Sequence, residues 1–195
     1  MVDCVKRNAI VPSALRFPAL RFPWDRNLID IQKIKKLSAN SHLIEFAEFV
    51  IFEAGDRNFV DYKKIDLMKI ARLVSNVWVY DFRGGVSDGL LFHFSGTKVD
   101  EQFRMNVTGH RLEDLYDAED KAKLIPGTYH QVYLQKKISY TCRNVTYGLT
   151  SGERITSVEN IMFPCSADDE NINFGLGYVD YSFSNVGVVN TYVLL

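Results

Sequence analysis

Apolar positions along the chain change period several times, and each change marks an element. Leu43, Phe46, Ala47 and Val50 fall at the spacing of one helical stripe, so a helix is predicted from about Ser41, a plausible cap, to Ala54, with Gly55 as its stop. Ile44, Phe49, Ile51 and Phe52 extend the apolar surface beyond that stripe. A helix apolar on two sides has two partners, and the second is expected to be another copy of the protein. A shorter helix is predicted near 66–75, with Leu67, Ile70, Ala71 and Val74 at helical spacing. The period then falls to two. Residues 77–82 and 90–94 read as strands, joined by the glycine-rich turn 83–89 into a hairpin.

Residues 97–137 read as mostly helical. A short helix covers about 98–103, Thr108-Gly109 breaks the chain, and Leu112, Leu115 and Tyr116 form another turn or two. An acidic start at 117–120 opens a longer helix that Pro126-Gly127 should kink or split. Three strands follow. Ile138, Tyr140 and Cys142 alternate, then Val145 and Tyr147 on shifted parity, which predicts a bulge near Arg143-Asn144. A second strand runs over about 154–165. The third sets Ile172, Phe174, Leu176 and Tyr178 on one face and Gly175 and Gly177 on the other, where the 41–54 helix has room to approach. The expected architecture is α+β: a five-stranded antiparallel sheet, helices over one face and the N-terminal helix on the other. The apolar tail 184–195 needs a cover, and a partner chain is the expected one.

This order of elements resembles a PAS domain, and within that superfamily a family of short bacterial PAS-like proteins. The likeness is carried by Phe92-His-Phe-Ser-Gly-Thr97, Val99, Phe103 and Val107-Thr-Gly109, leading to Leu112 and Leu115. It covers about 65–183 in element order and 92–116 in motif. Members often carry a basic residue where His93 stands. The organisation read here is a basic, Pro- and aromatic-rich extension over 1–38, the N-terminal helix and linker over 39–64, a PAS-like domain over 65–183 and the tail. Gly96 lets the chain leave the sheet, Thr97 caps the next helix, and Gly109 takes a positive φ.

Charge bounds the partners. The totals nearly cancel at −1, but residues 1–38 hold eight Lys/Arg against three Asp/Glu. That arm, with Phe17, Phe22 and Trp24 as anchors, is expected to lie on the acidic body, and nucleic acid is not an expected partner. No stretch reaches the roughly 20 apolar residues that cross a bilayer. No secretory signal is read, so a cytoplasmic location is expected. Cys4, Cys142 and Cys165 lack metal-ligand spacing, and Asp168-Asp-Glu170 reads as a solvated hairpin loop.

No motif of a hydrolase, nucleotide-binding protein or zinc enzyme is present. Haem-binding PAS proteins use a histidine of the long helix, but His130 is about 100° from the inward face that Tyr129, Val132 and Tyr133 share. The flavin-binding reading needs a helical cysteine, which Cys142 is not. No cofactor is expected. What remains is a pocket between sheet and helices, lined by Phe103, Leu112, Leu115, Tyr116, Tyr129, Val132 and Tyr133, with His93 or Arg111 as polar anchor. The resemblance implies a non-enzymatic sensory or ligand-binding module, a homodimer through Ile44, Phe49, Ile51 and Phe52, passing its signal to a separate protein. Two alternatives stand beside it. One is a small-molecule enzyme of the cone-shaped α+β type using Asp81, His93 or Asp180; the other is a dimerisation scaffold with a filled core.

Overall fold

Strands form where apolar side chains alternate, and in this chain both parities are apolar, so the sheet is covered on both faces. The computed structural model describes residues 31–87, 89–115, 126–146, 155–183 and 190–195. Its strands are β1 (Val77–Asp81), β2 (Leu91–Ser95), β3 (Ser139–Thr146), β4 (Ile155–Cys165), β5 (Phe174–Phe183) and β6 (Thr191–Leu194). They form one antiparallel sheet in the order β2-β1-β5-β4-β3-β6. The sheet thus has six strands rather than five. The extra one is the expected apolar tail: Tyr192 and Val193 pair with Thr141 and Tyr140, so the backbone of this same chain, not a partner, takes up 191–194.

On one face lies α2 (Ser41–Ala54), preceded by the helical segment 31–37, here α1. Leu43, Phe46, Ala47 and Val50 of α2 are buried, as the stripe predicts, against Val77, Val79, Ile161, Phe163, Leu176 and Tyr178. Phe46 stacks on Tyr178 at 5.2 Å and meets Phe163 edge-on at 6.1 Å. Ile34 of α1 is fully buried in the same core. Asn40 is the cap of α2, not Ser41. Its side-chain oxygen Oδ1 accepts from the His42 and Leu43 amides, while Gly55 closes the helix at φ 58°.

Residues 67–76 form a 3-10 helix, capped by Asp66, with Ile70 off helical geometry. Three residues per turn place Ile70, Leu73 and Asn76 inward, so the α-helical phase expected for Ala71 does not apply and Ala71 is exposed. Salt bridges Arg72–Glu45 and Lys69–Glu53 tie this segment to α2.

The opposite face is covered by α3 (Thr97–Phe103), a 3-10 turn (Leu112–Leu115) and α4 (Pro126–Gln135). Gly96, not Thr97, caps α3, and without a side-chain bond. Its constraint is closeness: a Cβ there would sit 2.3 Å from the Val74 carbonyl oxygen. Gly109 takes the expected positive φ, 85°. Pro126 opens the described part of this segment. It is the first residue of α4, where a missing N–H costs nothing, and the acidic start expected before it lies outside the described residues.

Two local expectations change. β3 and β4 pair in unbroken register from Ser139↔Met162 to Thr146↔Ile155, so there is no bulge at Arg143-Asn144. The irregularity falls in β2, where Val79 and Tyr80 pair with Phe94 and Phe92, leaving His93 as the extra residue. The glycines of β5 face the other way from the expectation. α2 packs on the Leu176–Tyr178 face, while Gly175 and Gly177 lie beneath Phe82 and Trp78. A large aromatic ring on the neighbouring strand, not a helix, occupies the room that they leave.

Candidate functional site

Strand parity sends Trp78 and Tyr80 of β1, Phe92 of β2, Val158 and Asn160 of β4, and Val179 and Tyr181 of β5 to the face beneath α3 and α4. Because β3 runs without a bulge, Arg143 joins them, opposite Val158. Val99, Gln102 and Phe103 of α3, Leu112 and Leu115 of the 3-10 turn, and Tyr129 of α4 close the space from above. Together they line a cavity of about 250 Å³ that is half open to solvent.

Its walls are aromatic. The Tyr80 ring lies 4.7 Å from Phe92 and 5.6 Å from Tyr129; Trp78 meets Tyr129 at 6.2 Å and Phe92 meets Phe103 at 6.1 Å. Its polar groups cluster toward β3 and β4. Burial pushes the Tyr129 hydroxyl above its ordinary range, opposed in part by the Arg143 cation and by a hydrogen bond from the Asn160 side chain. Three buried polar atoms of lining residues have no hydrogen-bond partner: Trp78 Nε1, Arg143 Nε and Asn160 Oδ1. Leaving one such atom unsatisfied costs about 1–3 kcal/mol, and with almost no accessible surface all three lie within the wall rather than open to the space.

The predicted lining residues divide. Phe103, Leu112, Leu115 and Tyr129 border the cavity. Val132 is buried behind it, and Tyr133 packs edge-on to Phe82 at 5.5 Å. Tyr116 lies outside the described residues. Neither polar anchor holds. The bulge that removes His93 from the pairing also removes it from the cavity, and its ring sits 5.7 Å from Tyr62 and 5.1 Å from Phe174. Arg111 borders a surface concavity with Asp81 and Arg83 at the β1–β2 turn. The polar lining comes instead from Arg143 and Asn160. Their signal was parity. Once Tyr140 and Cys142 share a face, Arg143 belongs to the other, and Asn160 stands opposite in phase to Ile161, Phe163 and Cys165.

None of Asp81, His93 and Asp180 borders the cavity. Asp81 is held below the usual carboxylate range by its ion pair with Arg83, and Asp180 accepts from Asn40 Nδ2 at 2.6 Å on the α2 side. His130 Nε2 is buried, 4.0 Å from Glu113 Oε1. The 168–170 loop is more than a solvated turn. Asp168 accepts from Ser166, Glu170 and Asn171, and Asp169 from Asn58 and Phe59, bolting the loop to the chain after α2.

The reverse of the sheet carries two ties to the α1–α2 junction. The Tyr140 hydroxyl donates to Glu159 Oε1 at 2.6 Å, with the Leu37 carbonyl oxygen 3.1 Å from the same hydroxyl. Asn40 Nδ2 on Asp180 is the second. Glu159 stands between the cavity residues Val158 and Asn160, and Asp180 between Val179 and Tyr181. Among the described residues, no helix is long and apolar enough to cross a membrane. Compared with known families and curated proteins, the chain matches no family model and no curated protein.

Proposed function

We propose that the chain is a ligand-binding sensory module of PAS-like type, non-enzymatic, serving bacterial signalling through a separate partner protein. The observation that carries this is the pocket: about 250 Å³ of aromatic-walled space with Arg143 and Asn160 among its lining residues. A scaffold with a filled core has no use for such a space. A hairpin, a helical block and further strands in one antiparallel sheet, with α2 behind it, also accord with the resemblance.

The signal route follows from alternation. A ligand that moves β4 or β5 from the cavity side moves Glu159 and Asp180 on the other side, and with them the anchors of Leu37 and Asn40. The packing of α1 and α2 thereby reports occupancy. Output would pass through a homodimer formed on α2. Ile44, Phe49 and Ile51 are half-buried in the protomer, which leaves Phe52, 79% exposed, as the principal contact. Native mass spectrometry of the purified protein tests both parts. A dimer that carries a small molecule, lost on denaturation, is the expected spectrum. A monomer that retains nothing and takes up no small aromatic compound would overturn the proposal.

A further inference from the structure

Phe103, Leu115, Tyr129 and Tyr181 are only half-buried where they line the pocket, so ring and aliphatic surface meets water across its open side. An apolar cavity of about 150 Å³ holds a benzene molecule, so about 250 Å³ takes one phenyl ring with room to spare. Exposed carboxylates flank it: Glu101 adjoins the lining residue Gln102, and Asp114 adjoins Leu115. The chain carries a segment of matching chemistry outside the described residues. Leu15-Arg-Phe-Pro18 recurs as Leu20-Arg-Phe-Pro23, a run with two phenylalanines, two arginines and no acid, whereas the body over 39–195 holds fifteen Lys/Arg against twenty-one Asp/Glu. A residue before proline is confined to extended geometry, so each ring stands on a backbone with little freedom left to lose on docking.

Resting on the ligand-binding reading above, we infer that the chain's own N-terminal segment covers this pocket, with the Phe17 ring inserted and Arg16 and Arg21 toward Glu101 and Asp114. A small ligand and the segment then compete for one site, and binding of the ligand releases the segment. Reach selects Phe17. The helix α1 begins at residue 31 and ends over β3, where the Leu37 carbonyl oxygen lies 3.1 Å from the Tyr140 hydroxyl. Among the described residues, β6 alone separates β3 from that edge of the sheet, and the pocket lies on the opposite face. Passing two layers of ~10 Å and about four strand spacings of ~4.8 Å takes roughly 40 Å. The fourteen residues from Phe17 to Ile31 span at most about 46–50 Å, whereas the nine from Phe22 span only about 30–32 Å.

The tether sets the size of the effect. It holds the segment near the pocket at on the order of 1 mM, so a contact with a Kd of about 0.1 mM fills about nine pockets in ten and weakens an outside ligand about tenfold. Titration calorimetry of the full chain with 4-cresol reads this. Phe17→Ala is expected to bind the probe about tenfold more tightly than wild type, and Phe22→Ala to shift it by less than about twofold. Photolysis of a Phe17→p-azidophenylalanine variant gives the location: cross-links to residues 99–115 or Tyr129 of the same chain are expected, read by mass spectrometry of mixed light and isotope-labelled protein. Arg16→Gln with Arg21→Gln should lower that yield at low salt, and an equal yield overturns the contacts with Glu101 and Asp114. Equal, measurable 4-cresol affinity in Phe17→Ala and wild type, or cross-links elsewhere, overturns the segment as occupant while the pocket stands as a ligand site. A larger effect from Phe22→Ala overturns Phe17 as the inserted ring. Cross-links between light and labelled chains overturn the intramolecular assignment in favour of a second copy's segment. Cross-links at the pocket with no 4-cresol binding by any variant support the segment and overturn the small-ligand reading, and the absence of both overturns both.

Discussion

Gly177→Ala is the sharpest probe of how the sheet builds the cavity. In an open strand, replacing glycine by alanine stabilises a protein by about 0.4–1 kcal/mol, because the unfolded chain loses freedom. At 177 the added methyl would lie 2.3 Å from Trp78 Cε2 and 2.4 Å from Cζ2. Comfortable carbon–carbon contact begins near 3.5 Å, so the indole must retreat by about 1 Å. It cannot do so freely: Trp78 is 4% exposed, with the Tyr80 and Tyr129 rings at 6.4 and 6.2 Å. Its way out is away from the sheet, into the cavity. Overpacking of this kind costs about 1–3 kcal/mol, which exceeds the entropic gain over most of that range. For a chain of this length each kcal/mol lowers Tm by about 2–4 °C. A melting temperature lower by a few degrees is expected, with a shifted Trp78 emission recorded in a Trp24→Phe background, since the chain has only two tryptophans. A variant that melts higher than the parent, with unchanged emission, would refute the close packing of Trp78 on Gly177.

Phe52→Glu is the cleaner test of self-association than a change at Phe49, which packs against the core; native mass spectrometry should give a folded monomer, and an undiminished dimer would remove α2 from the interface. Acid should loosen the loop after β4. Donors from Asn171, Glu170 and Ser166 hold the Asp168 carboxyl well below its ordinary value, so its contribution is complete above about pH 3.9 and is lost as pH falls through the depressed value. Asp168→Asn should therefore lose less Tm than the wild type between pH 7 and pH 3, and equal losses would remove Asp168 from the acid response.

The candidate site was only half legible in the chain. Its helical wall was named from the motif that carries the resemblance (Phe103, Leu112, Leu115) and from the inward phase of Tyr129 on its helix. Its floor was not. A strand that is apolar on both parities gives no sign of which side the helices will cover, and Arg143 within such a strand looks like a place where pairing fails. The polar anchor was sought at His93 or Arg111, while the unbroken β3–β4 register places Arg143 on the cavity side. The 3-10 segment shows the same dependence on phase: Leu73, not Ala71, is inward once the turn tightens from 3.6 to 3 residues.

Periodicity and turn residues determined the order and kind of the elements, the buried stripe of α2, and an α+β sheet covered on both faces, because these depend on neighbours in sequence. Only tertiary structure decided that 191–194 becomes a sixth strand, that the β5 glycines receive indole and phenyl rings, and that Arg143, Asn160 and Tyr129 meet in one corner. Those outcomes depend on strand register and on which distant backbone offers free N–H and C=O groups, and short-range periodicity encodes neither.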